Sequence, residues 1–70
     1  MFDSNKFGKC LKKLRVERHL TMDQLGQVLN CNKSLISRWE NGTRVPTVES
    51  LWILADYYGI SLDELVGRGL

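Results

Sequence analysis

Proline is nearly missing from this sequence: Pro46 is the only one in 70 residues. Chain breaks are therefore left to six glycines and to capping side chains, which leaves long stretches free to be helical. No apolar run approaches the ~20 residues needed to cross a bilayer, so no membrane-spanning segment is expected. The opening Met1-Phe2-Asp3-Ser4-Asn5-Lys6 has no basic, apolar and small-residue succession, and no secretory signal is expected from it. Cysteine and histidine are scarce. Cys10, Cys31 and His19 lack the close pairs of a zinc site, so no metal is expected. Counting leaves a Cys10–Cys31 disulfide open, and a role as small buried hydrophobes is the reading adopted. His19 has no nucleophile at interpretable spacing and no glycine-rich phosphate loop occurs. Neither an enzyme, a cofactor nor a small-molecule ligand is expected.

The apolar residues that are present decide the class. Hydrophobic residues make up 43% of the chain and recur at helical spacing, which excludes disorder. Residues 1–70 are expected to form one small domain, burying about 60% of its unfolded surface and stable by a few kcal/mol. Ten basic against eight acidic residues leave a net charge of +2, which permits a nucleic-acid partner without demanding one.

Periodicity predicts five short helices and no strand. Phe7, Leu11, Leu14 and the stem of Arg18 form one stripe from about Ser4 to Arg18, with Lys6, Lys9, Lys12 and Lys13 on the solvated side. Thr21 with Gln24 has the spacing of a capping box for a second helix that buries Leu25, Val28 and Leu29 and ends at Asn30. Asn32 caps a third helix, from Lys33 to Asn41, closed by Gly42. A fourth, capped by Thr47 and stopped by Gly59, carries Leu51, Leu54, Ala55 and Tyr58. Ser61 with Glu64 caps a fifth that carries Leu62 and Leu65. The fold class is all-α.

Helical phase sorts the third helix. With Ile36 inward, Trp39 and Glu40 stay on the inner side, while Ser34, Ser37, Arg38 and Asn41 point away and Lys33 lies on the flank. Arg15 and Glu40 each border an inward face. Trp52 and Ile53 cannot both be fully inside the fourth helix, which makes them a candidate self-association surface together with the fifth helix and the tail Val66–Leu70.

The stretch from Met22 to Asn41, with Leu25, Gly26, Leu29, Asn30, Cys31, Ile36 and Trp39 at its structural positions, resembles the helix-turn-helix of the lambdoid phage repressor and Cro family (XRE type). Leu14 to Arg18, Ile36 to Gly42 with Arg44 and Pro46, and Leu54 to Leu65 are similar to that family's flanking blocks. The chain departs at His19, where the family often has glycine, and at Met22, where it often has glutamine.

The resemblance implies a five-helix domain that binds double-stranded DNA as a transcriptional repressor or regulator, with the third helix in the major groove. Lys33, Ser34, Ser37 and Arg38 become candidate base readers, Arg38 through a two-point bond to guanine. Asn32, Asn41, Thr43, Arg44 and the backbone amide of Met22 become candidate phosphate contacts. Arg15 and Glu40 would pair beneath the recognition helix. A homodimer on paired half-sites is expected, in a cytoplasmic bacterial or phage-encoded protein that is nucleoid-associated when bound. The alternative is an antitoxin-type or other protein-binding module on the same fold.

Overall fold

The computed structural model describes residues 1–68, which form α1 (Ser4–Glu17), α2 (Met22–Leu29), α3 (Lys33–Glu40), α4 (Val48–Tyr58) and α5 (Leu62–Leu65), with no strand among them. Every helix starts on a side-chain oxygen that accepts otherwise unpaired backbone amides. Both expected capping boxes are complete. In the first, the Thr21 amide donates to Gln24 Oε1 at 2.8 Å while the Gln24 amide donates to Thr21 Oγ1 at 3.1 Å. Asp3 caps α1 one residue ahead of the start read from the sequence, its carboxylate accepting from the Asn5 and Lys6 amides. Each such cap is worth about 1 kcal/mol.

Among the described residues two that are not glycine sit in the left-handed region: Asn30, at φ 55°, ends α2, and His19, at φ 57°, turns the chain between α1 and α2. Asparagine tolerates this conformation because its short amide bonds locally; histidine has less compensation.

One core joins all five helices: Phe7 and Leu11 from α1, Leu25 from α2, Ile36 and Trp39 from α3, Leu54, Ala55 and Tyr58 from α4, and Leu65 from α5. Helix α3 packs chiefly against α1 and α2. Trp39 is buried edge-on to Phe7, with ring centroids 6.3 Å apart. Three expectations need correction. Leu62 is 40% exposed, because a four-residue helix can turn only one of its leucines, Leu65, into the core. Arg18 lies past the end of α1 and is exposed; its guanidinium covers the Tyr58 ring at 5.2 Å and donates to the Tyr58 carbonyl instead of extending the stripe. Val28 and Leu29 are only half-buried, which leaves Leu25 as the apolar side chain that α2 buries fully.

Both cysteines are free and half-buried, and burial pushes both thiols up from their ordinary pKa. Cys10 donates to the Glu64 carbonyl at 3.4 Å and so ties α1 to α5. No helix of the described residues is long and apolar enough to cross a membrane.

Candidate nucleic-acid interface

Helix α3 is held at both ends by close backbone approaches. At its start, the Cys31 amide donates to the Gly26 carbonyl at 2.8 Å, and a methyl group on Gly26 would lie 2.6 Å from the Cys31 oxygen. Only glycine in α2 lets the turn close this tightly. At its end, a methyl group on Gly8 would lie 2.5 Å from the Trp39 oxygen and 2.6 Å from the Glu40 oxygen, so α1 presses directly on the last turn of α3.

The same turn carries an ion pair. Arg15 Nε donates to Glu40 Oε2 at 2.6 Å and its Nη2 to Glu40 Oε1 at 3.0 Å, a two-point fork. Arg15 Nη1 also donates to the Leu20 carbonyl at 2.9 Å. The side chains are 12% and 2% exposed, so the pair is largely out of water. Bonding to Glu40 raises the already high pKa of Arg15, keeping the guanidinium charged.

These anchors turn the opposite face outward. Lys33, Ser34 and Arg38 are exposed and Ser37 is half-buried. All four line one groove of about 480 Å³, whose other wall is Met22 at the start of α2. Ser34 and Arg38 also border a second hollow of about 470 Å³, with Asn32, Cys31, Leu35 and Arg44 around it. Arg38 therefore stands on a ridge between two concave surfaces. Lys33, Arg38 and Arg44 bring positive charge to these hollows, and among the described residues no acidic side chain lines either one.

Several polar groups here are already engaged. Asn32 Oδ1 accepts from the Leu35 amide at 3.2 Å, which leaves its NH2 for an outside acceptor. Asn41 Nδ2 donates to Ser37 Oγ at 3.4 Å. Thr43 Oγ1 donates to the Arg38 carbonyl at 3.2 Å, which commits its hydroxyl proton within the chain. The outward donors left free are the Asn32 NH2, the Ser34 hydroxyl and the long cationic side chains.

Sequence reasoning passed over Gly8 and the side chain of Met22. A glycine inside a helical pattern costs about 1 kcal/mol against alanine, and that cost was the available signal of a close approach. Nothing local in the sequence indicated that Met22 would share a groove with Lys33 and Arg38.

A helix-turn-helix family model, HTH_3, matches residues 11–65. The HTH-type transcriptional activator BcrR of Enterococcus faecalis is 34% identical over 61 residues, covering 87% of this chain and 30% of that protein. The cryptic phage CTXphi transcriptional repressor RstR of Vibrio cholerae is 33% identical over 60 residues, covering 86% of this chain and 54% of that one. The chain thus spans between 30% and 54% of those relatives' lengths. Among solved structures, the restriction-modification controller protein C.AhdI from Aeromonas hydrophila superposes with a TM-score of 0.80 at 28% identity, over 90% of this chain and 91% of that one. With the two-helix unit in place and the family match running from α1 into α5, this chain belongs to the HTH_3 helix-turn-helix family.

Proposed function

We propose that the chain binds duplex DNA sequence-specifically and regulates transcription, inserting α3 into the major groove. The observation that carries this reading is the outward face of α3: Lys33, Ser34, Ser37 and Arg38 share one groove free of acidic side chains, on a helix fixed from behind by Gly8 and Arg15. Base edges fall to those four residues, Arg38 foremost. Phosphates fall to Arg44, the Asn32 and Asn41 side chains, the Met22 amide and, after releasing its internal bond, Thr43. Relatives whose names describe a transcriptional activator and a transcriptional repressor support the class of function.

One α3 reads only a few base pairs, so two copies are needed, with their recognition helices about 34 Å apart on one face of the duplex. The surface best suited to joining them is apolar. Trp52 is 61% exposed and, with Ala55, Ile60 and Leu62 and with Asp56 as the one charged member, borders a hollow of about 220 Å³ on the α4–α5 side. The tail suggested for the same role ends in residues 69 and 70, which lie outside the described residues. Such a protein works in the cytoplasm, on the nucleoid.

Selection from a randomised duplex pool tests the reading. The expected result is an enriched paired motif, bound by two chains per duplex in sedimentation, with affinity falling steeply as salt rises. Failure to enrich any motif refutes specific binding and turns attention to a protein partner. A one-to-one complex on a single half-site refutes the dimer.

A further inference from the structure

Met22 is the apolar member of a groove otherwise lined by Lys33, Ser34, Ser37 and Arg38. It is half-buried, with one side packed on the core and the remainder facing the groove. The major groove offers such a side chain one methyl group, that at C5 of thymine, beside the polar N7, O6, N6, N4 and O4 groups of the base edges. The methylene stem of Lys33, on the same groove, extends the apolar wall while its ammonium stays free for a polar partner.

We infer that Met22 is a specificity-determining residue that takes a thymine 5-methyl group, at a base pair neighbouring the one read by Arg38. The inference rests on the proposed major-groove binding of α3 and adds the chemical identity of a second base. Arg38 meets a guanine edge by donating hydrogen bonds, whereas Met22 contributes by excluding water from a methyl group. A half-site would then combine a guanine and a thymine read by unlike chemistries from one groove. A thioether is suited to this task because it is polarizable and adapts its rotamers to an irregular contact.

The test changes the DNA before the protein. In the enriched site, each thymine is replaced in turn by uracil, which removes the methyl group and keeps every Watson–Crick and major-groove polar group. One thymine per half-site is expected to be sensitive, with affinity falling about fourfold, as for one buried methyl-sized group. Met22→Gln should abolish that sensitivity, and Met22→Leu should keep it; thermal melts of both variants establish that they are folded. If no thymine responds, or if uracil costs the same in Met22→Gln as in the parent, the inference is overturned while specific binding by α3 stands. If no duplex motif is enriched at all, the underlying reading fails first, and the two failures remain distinct.

Discussion

Replacing Glu40 by alanine examines the strongest polar contact inside the molecule. The Glu40 side chain is 2% exposed and accepts both Nε and Nη2 of Arg15, so its loss leaves a guanidinium, on a side chain only 12% exposed, with one remaining bond, to the Leu20 carbonyl. Stranding a buried charge in this way costs about 3–5 kcal/mol. A chain of this length has about 4–10 kcal/mol of total stability, so the substitution removes a large share of it. In a urea titration with an m-value of about 1 kcal/mol/M, the midpoint should fall by about 3–5 M. Replacing both partners, Arg15→Met with Glu40→Met, should recover part of the loss because no unpaired ion remains. Moderate alkali cannot relieve the stranded charge either, because a guanidinium stays protonated far above that range even without its carboxylate partner. A Glu40→Ala melt within about 1 kcal/mol of the parent, the range of an exposed pair, would refute the reasoning.

Five further substitutions have expected outcomes. Gly8→Ala gains helix propensity of about 1 kcal/mol. It nevertheless loses overall, by about 1–3 kcal/mol in the same titration, because the added methyl meets two backbone carbonyls that cannot rotate away. His19→Gly relieves a left-handed residue and should stabilise by about 0.5–1 kcal/mol, read as a rise of several degrees in Tm. Tyr58→Phe should change neutral-pH stability by less than about 1 kcal/mol, since the hydroxyl finds no hydrogen-bond partner among the described residues. Burial, with Tyr57 beside it, pushes the Tyr58 phenol up to about 12. Ionisation is thus disfavoured by folding: this stability is present below pH 10, fades as pH rises towards 12, and the loss should be flattened in Tyr58→Phe. Arg38→Ala should relax preference at one position per half-site by about 1–3 kcal/mol. Arg44→Ala should instead weaken all duplexes alike and lower the salt slope by about one, both measured by titrating the parent site and its single-base variants.

The readable parts of this molecule are those governed by local rules. Thr21 with Gln24, Ser61 with Glu64, and Asn32 act over three residues, so their capping roles follow from spacing alone. Ile36 and Trp39 follow from helical phase. Depth is another matter. Periodicity treated Leu62 and Leu65 alike, and only the packing of α5 on α4 separates a 40% exposed residue from a fully buried one. The α1 stripe ends before Arg18, whose partners, the α4 tyrosines, are 39 and 40 residues away and so invisible to local periodicity. At the interface, Thr43 and the Arg38 carbonyl meet because the chain turns back after α3, which no residue type announces.

The structural duties of α3 and its outward chemistry are carried by different atoms. Its packing uses Ile36 and Trp39, its tilt uses the Glu40 carboxylate and the two carbonyls against Gly8, and its entry uses the turn at Gly26 and Cys31. None of these atoms belongs to Lys33, Ser34 or the guanidinium of Arg38. Gly8 and Arg15 are seven residues apart, about 10 Å along α1, yet both act on the final turn of α3. Clamping by a broad base at that end resists rocking more than a single contact would, and the amino-terminal half projects from it. A recognition face that bears little of the fold's stability can change its side chains without unfolding the domain. Fixing α3 by glycines and a buried ion pair thus separates the face proposed to read DNA from the atoms that hold the helix in place.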